Sequence, residues 1–436
     1  MNIFYTRIFL TIFICNCVAG YTQPSFGNSK FVTAPGLFCD NIFYASASLA
    51  LIPPAGFKDS LPRPGKDTLS LSHKNYLRND DPEFNKKYSV LIPVFEVSAT
   101  NFLIWSYYKF LFSAPYADIS IARVKSNFSN GWEWDTDDFL TNFSLHPYTG
   151  SLYFNAARSN GYSFTESTPF VLGGRLMWEL FMENSKPSYN DLINTTVSGI
   201  FLGEVLYRLS SSILDDRKTG GPRVLREVLA TVVDPERGFN RLLQGKMKRV
   251  VNKEIYQKEP LSLSVAAGVN QPNGGAVHPM LKLDLTYGNP LEVRFRKPFD
   301  YFRLRTDLNI GSTSKVVNNV IGDGILFGKN IDSVHRMKVL IGGFQHYDYW
   351  NTDSFEIGTI GLGGGVITNT PVFKNASFQN ELHIALVPLG GSNEKVVPAS
   401  DTLMNLGLKY YSYSGGAEIK ILSALNFKWG QLAAEY

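Results

Sequence analysis

The chain has 436 residues, 44% of them hydrophobic, and carries 42 Lys and Arg against 38 Asp and Glu for a formal net charge of +4. That length admits two or three domains, and so even a charge balance gives no basis for a nucleic-acid partner. Aromatic residues reach 14%, with 22 Tyr and 31 Phe, a content that suits membrane-interface belts as well as large cores.

Residues 1–20 read as an export signal: Arg7 supplies a positive start, residues 8–14 an apolar core, and Val18-Ala19-Gly20 small residues for cleavage. Cys15 and Cys17 lie at the depth of a lipoprotein signal, but Asn16 stands where a small residue is usual. Cleavage after Gly20 leaves Cys39 as the sole thiol, which excludes an internal disulfide. Residues 21–84, with Pro53-Pro54, Pro62 and Pro64-Gly65, read as an irregular leader or linker. Beyond the signal no run of eighteen uncharged apolar residues occurs. The nearest, residues 89–112, contains Glu96, Asn101 and Lys109 and reads as an amphipathic or buried helix. If the chain crosses a membrane it must do so as a closed barrel, which alone satisfies strand backbone groups in lipid.

Residues 85–255 have helical texture and are expected to form a helical domain. Thr168-Pro169 offers an N-cap followed by Pro at the first helical position, with the helix continuing through residues 170–183. Ser188 and Asp191 have capping-box spacing for a second helix. Asp215-Asp216 and Gly220-Gly221-Pro222 then break the chain before a helix over 223–233 and a shorter one near 238–245. Gly199 and Gly203 share a helical face and permit close approach of another backbone.

From residue 256 to 436 the period changes to two. Residues 261–269 and 281–287 alternate, and in 301–310 Phe302, Leu304, Leu308 and Ile310 oppose Arg303, Arg305, Asp307 and Asn309. Similar segments near 336–346, 354–367, 378–387, 405–413, 417–424 and 425–435, each about ten residues long, predict an antiparallel transmembrane β-barrel of about 8–12 strands, giving an α+β chain overall. Alternation alone does not say which face points inward. The export signal and the charged row favour hydrophobics facing lipid. Counting back by twos from Tyr436 meets Ala434, Leu432, Gly430 and Lys428, so the last strand is expected to be atypical or the barrel incomplete.

The strings WEWDTDDF (132–139), HPYTGSLYFNAARSNGYSF (146–164), MWELFMENSKPSYNDLINTT (177–196), GEVLYRLSSSILDDR (203–217) and DPERGFNRLLQGK (234–246) give residues 130–245 their character. This stretch resembles an uncharacterised bacterial family catalogued as domain of unknown function 3943. The resemblance implies an exported, outer-membrane protein and brings no substrate or catalytic residues.

Among residues that might carry chemistry, His146, Glu179, Glu183, Asp191 and Glu204 combine an imidazole with carboxylates on apolar helices. His146 with Glu179 or Glu204 is the candidate catalytic set for a membrane-embedded lipid or envelope hydrolase. The structural alternative pairs Glu179 and Glu204 with Arg158, Arg175 or Arg208, leaves Asp191 as a cap and puts His146 in a turn. Trp132, Trp134, Asp135, Asp137 and Asp138 form an acidic aromatic stretch that reads as a turn or cap rather than a calcium loop. Gly361, Gly363, Gly364 and Gly365 read as a barrel bend or crowded lumen wall. Lys282, Asp284, Arg303, Arg305, Asp307, Glu381, His383, Glu418 and Lys420 fall on the expected lumen face, where Arg303, Arg305, Glu381 and His383 are the candidate ligand-binding residues. No HExxH, GxSxG or Cys/His metal spacing occurs, so no metal or cofactor is expected. The leading expectation is a non-enzymatic envelope protein with outer-membrane lipid as partner, its lumen closed by ion pairs. A hydrolase and a small-solute pore are the alternatives.

Overall fold

The computed structural model describes residues 41–47, 87–135, 139, 141–252, 254–271, 278–292, 295–310, 316–334, 336–352, 355–373, 375–394, 411–427 and 430–435. The expected export signal, the three cysteines, Asp137, Asp138 and Tyr436 lie outside the described residues. The fold is α+β, with seven α-helices among the described residues preceding most of an antiparallel curled sheet.

The helices are α1 (Leu91–Leu111), α2 (Ile121–Ser129), α3 (His146–Ser159), α4 (Phe164–Phe181), α5 (Tyr189–Ile213), α6 (Gly220–Val233) and α7 (Pro235–Leu243). Among the described residues no helix is long and apolar enough to cross a membrane. Helix α1 is the helix expected within 89–112, oriented with its polar residues inward: Asn101 donates to the Gly174 carbonyl at 2.9 Å and accepts from the Tyr153 hydroxyl, while Glu96 accepts from Asn160 (2.8 Å) and Asn240 (3.1 Å). Most of its large apolar residues point outward, Leu91 and Phe95 each 71% exposed, while Val97 joins the core.

Helix α4 starts earlier than expected. Ser163, not Thr168, is the N-cap, in a reciprocal capping box with Glu166, and Pro169 sits inside the helix. A proline there leaves the Thr165 carbonyl without its backbone donor. The Thr168 hydroxyl donates to that carbonyl at 2.9 Å and so fills the gap locally. Ser188 caps α5 as expected, its hydroxyl accepting from the Asp191 N–H. The reciprocal half of the box is different: the Ser188 N–H goes to Glu179 (2.7 Å), which frees the Asp191 carboxylate for other partners.

Helices α3 and α5 cross at glycines. A Cβ on Gly199 would lie 2.5 Å from the Gly150 Cα, and one on Gly203 would lie 2.7 Å from the Phe154 ring. The close approach expected of Gly199 and Gly203 is thus made against α3, with Gly150 as the partner on the other helix.

Among the described residues the sheet has eleven strands: β1 (Asn41–Ala47), β2 (Leu261–Gln271), β3 (His278–Tyr287), β4 (Phe295–Arg296), β5 (Phe302–Asn309), β6 (Val317–Val334), β7 (Met337–Asn351), β8 (Phe355–Phe373), β9 (Ala376–Glu394), β10 (Tyr411–Phe427) and β11 (Gly430–Glu435). They pair in sequence order except that β4 pairs with β6 beyond the end of β5. Strand β1 departs from the expected irregular leader. Its run Ile-Phe-Tyr fits a pleated surface, and it pairs with β2 from Asn41↔Gln271 to Ala47↔Val265. The strands from β6 to β10 are also longer than the ten or so residues expected, β8 and β9 reaching 19. Segments 405–413, 417–424 and 425–435 do not stand as three strands either, since Tyr411–Phe427 is continuous. Glycine weakens a strand but keeps its N–H donor, so the glycines of β8 do not end the ladder. The sheet ends β1 and β11 come within 8 Å between Cα atoms, and among the described residues they share no ladder.

One face of this sheet is concave and charged. Lys420 on β10 reaches Asp323 on β6 (3.1 Å) and Asp348 on β7 (2.8 Å). Along a flat sheet β6 and β10 would be about 19 Å apart at the usual strand spacing. Only curling toward that side brings the pair together. The same side also holds an apolar cluster of Tyr301, Ile325, Leu340, Phe344 and Ile367.

The helical half packs on the opposite, convex face. Phe201 and Val205 of α5 join Tyr287, Phe299 and Phe302 in one core, the Tyr347 hydroxyl donates to the Phe143 carbonyl, and Gln345 donates to the Val197 carbonyl at 2.8 Å. Arg208 ties the halves further, 3.2 Å from Asp300 and donating to the Pro298 carbonyl. Where the helices do not reach, the convex face stays apolar and open. Along β9, Glu381, His383 and Ala385 are buried and Leu382, Ile384 and Leu386 are exposed, Leu386 to 71%.

Candidate functional site

The helical candidates fall into two groups. In the first, Arg175 of α4 bridges Glu179, one turn on, and Asp191 at the start of α5. His146 at the start of α3 lies with Nε2 3.2 Å from Asp191 Oδ1. Nearby, Trp178 donates to Glu183 at 2.9 Å. Burial pushes Glu179 well above the ordinary carboxylate range despite Arg175, and burial raises Glu183 as well. Burial acts on Asp191 too, but His146 and Arg175 outweigh it and hold its carboxyl below that range. The Asp191 carboxylate therefore serves Arg175 and His146 rather than a cap, and His146 opens a helix rather than sitting in a turn.

Glu204 belongs to the second group, between Arg158 (2.9 Å) and Arg208 (2.8 Å), which overcome the cost of burial and keep it ionised. It sits thirteen residues beyond Asp191 on α5, roughly 20 Å along the axis. So His146 and Glu179 share a cluster and Glu204 stands apart, with no hydrogen bond or ion pair to either. The arginine partners are those expected for a structural role. Glu179 spends one oxygen on the Ser188 N–H and the other on Arg175, the posture of a brace between α4 and α5.

The acidic aromatic stretch is also a brace. Trp132 and Trp134 pack on Tyr189, and the Asp135 N–H donates to Asn190 at 3.0 Å.

The second candidate site lies on the concave face and includes all four residues singled out there from the sequence. Arg303 pairs with Asp284 (Nε 2.9 Å), the residue diagonal to it across the β3–β5 ladder. Arg305 binds Asp323 Oδ2 at 2.8 Å, and Glu381 accepts from Gln379 at 2.6 Å. His383 Nδ1 is 2.9 Å from His346 Nε2, while His346 Nδ1 contacts Glu418. Phe344 packs on the His383 ring, with centroids 4.3 Å apart. The glycines of β8 make room for this: a Cβ on Gly361 would collide with the Glu418 carboxylate, and one on Gly365 would lie 2.9 Å from the Phe344 ring. That is the crowded wall expected of them.

Three central residues, Asp323, His346 and Asp348, escaped the sequence reading. Asp323 sits between two glycines, and His346 and Asp348 lie among aromatics. Carrying the alternation through FQHYDYW puts His346 and Asp348 in one phase with Phe344, which was the available signal.

Beside the charged cluster is a cavity of about 420 Å³, with Ser262, Asp284, Thr286, Arg303, Asn369 and Glu381 among its polar lining. A smaller void of about 10 Å³ lies among Arg305, Asp323, Glu381, His383 and Lys420. The arrangement can hold small polar or ionic species; Arg303 and Arg305 are engaged with Asp284 and Asp323 on neighbouring strands, and Lys420 with Asp323 and Asp348 across the curl.

Residues 131–236 match the family model described as Domain of unknown function (DUF3943). No curated protein and no solved structure matches the chain.

Proposed function

Taking residues 131–236 as a DUF3943 domain, we propose that the chain is an outer-membrane β-barrel protein of the bacterial envelope, with its helical half packed against the barrel wall and a lumen closed to solutes. The carrying observation is the inverted burial along β9: Glu381 and His383 are buried, while Leu382, Ile384 and Leu386 are exposed. In water that order places oily groups where solvation is worst; in lipid it is the favourable order. Further supports are the open apolar side chains Phe327, Ile331, Ile341 and Phe373 toward the β6–β7 and β8–β9 hairpins, and the outward apolar side of α1. Helices cover part of the long strands. About nine to eleven tilted residues per strand suffice to cross the hydrocarbon.

Closure of the lumen is the part of the proposal that sets a non-conducting envelope protein apart from a pore. It rests on the Lys420 bridge to Asp323 and Asp348 and on the apolar cluster around Phe344. Membrane fractionation with an alkaline wash, followed by gels of heated and unheated samples, tests the placement. The chain is expected in the washed outer-membrane fraction with migration that changes on heating. Recovery as a freely soluble protein overturns the reading.

A further inference from the structure

The concave cluster has a feature that ion pairing alone does not account for. Among the described residues, Asp323, His346 and His383 are the one group of metal-ligand type whose donor atoms all lie within 4.8 Å of one another. We propose that these three side chains form a binding site for one divalent transition-metal ion of the zinc type. The site uses only the inner side of the sheet, so it stands or falls independently of whether the outer side faces lipid.

The distances fit one ion that takes the place of the Lys420 ammonium on Asp323 Oδ1, now 3.1 Å away, and leaves Lys420 its second partner Asp348. Ligand atoms about 2.1 Å from a tetrahedral ion sit about 3.4 Å from each other. Here His346 Nε2 is 2.9 Å from His383 Nδ1 and 3.9 Å from Asp323 Oδ1, values on either side of that spacing. Side-chain shifts of about half an ångström would equalise them. Two imidazoles with one carboxylate also form a donor set suited to zinc and its first-row neighbours rather than to calcium or magnesium.

The surroundings hold the ligands as a metal site needs. Glu418 contacts His346 Nδ1, which fixes the tautomer that presents the Nε2 lone pair inward. Arg305 holds the far oxygen of Asp323, and Phe344 packs on His383. All three ligands come from strands, which place side chains more firmly than loops do. Charge also favours a cation. The immediate carboxylates are Asp323, Asp348 and Glu418, whereas the permanent cations bonded to them are Arg305 and Lys420. An added ion meets a negative balance. The void of about 10 Å³ bordered by Asp323 and His383 matches a single water-sized occupant, the size of a fourth ligand.

The test uses the full, untagged chain, purified in detergent and stripped with a chelator. Co²⁺ is titrated while visible d–d absorption is recorded, Zn²⁺ is added as competitor, and bound metal is counted by mass spectrometry. One Co²⁺ per chain, displaced by Zn²⁺, is expected. H346Q and H383Q should each weaken binding by at least about 100-fold, and E418Q by about 10–100-fold through loss of the outer contact. If a histidine variant does not fold, pulsed EPR of the wild-type chain loaded with Cu²⁺ decides the matter by counting coordinated imidazoles, with two expected. No stoichiometric Co²⁺, an imidazole count other than two, or binding unchanged in folded H346Q and H383Q overturns the proposal.

Discussion

At the scale of single residues, buried charge in the helical half is bracketed by its opposite. Glu204 has an arginine on either side, and the three side chains are almost completely shielded from solvent. Removing the carboxylate leaves Arg158 and Arg208 as neighbouring buried cations, so E204Q is expected to cost about 3–5 kcal/mol in a denaturant titration. Lys87 and Glu166 supply the contrast, because both are substantially exposed and solvent screens the pair. K87A should change stability by less than about 1 kcal/mol. A result of similar size for the two variants would contradict the burial argument. The partners of Glu204 were legible in the sequence because a charge on an apolar helix requires one, and the available arginines were few. The His346–His383–Asp323 cluster was not, since its members come from three strands and no spacing rule links positions that meet only when a sheet curls.

At the scale of elements, the α3–α5 crossing depends on glycines that touch. G199A forces a methyl group into Gly150 and should destabilise the protein by about 1–3 kcal/mol. Gly173 on α4 is the control: nothing lies within 4 Å of where its Cβ would be, so G173A should stabilise by about 0.5–1 kcal/mol through helix propensity. Urea unfolding of both variants checks the pair of signs. Half of this crossing was readable in the sequence, because Gly199 and Gly203 fall on one face of a helix, but the identity of the opposing element is a tertiary fact. The true start of α4 was hidden for a local reason: Thr168-Pro169 mimics a helix start, and the Thr168 hydroxyl lets the proline sit inside instead.

Helix α7 adds a pH dependence. Burial raises Asp234 to about 6, and burial with the nearby Glu96 and Asp234 raises Glu236 to about 8. An acid whose folded pKa is raised binds its proton more tightly in the native state, so its stabilising contribution is complete below about pH 4 and declines as pH rises through the folded value. Stability of the helical half should therefore fall between about pH 4 and pH 8. E236Q should flatten the upper part of that decline in unfolding midpoints measured across the range. A steeper or unchanged slope would show that Glu236 does not hold the extra proton.

At the scale of the whole molecule, the two-residue rhythm of the C-terminal half announced two chemically different faces but not the direction of the curl. The answer lies in cross-sheet contacts such as Lys420 with Asp323, which no single strand records. A curled sheet with charge inside and oil outside gives a prediction that separates lipid from water as its surroundings. Ile384 is 56% exposed on the convex side of β9, and its neighbour His383 is buried on the concave side. In water, I384K would exchange an exposed isoleucine for a soluble residue and leave folding close to unchanged, within about 0.5 kcal/mol. In a bilayer the same lysine must be drawn from water into hydrocarbon, at about 2–4 kcal/mol near the midplane and less toward the interface. Folding into vesicles should thus suffer from I384K, while the same substitution in a small-headgroup detergent that lets water reach the wall should be tolerated better. Equal tolerance in both media would remove lipid from the outer face. In planar bilayers the wild-type chain should pass no steady current, because the ion bridges and the Phe344 cluster occupy the space that a solute path would need.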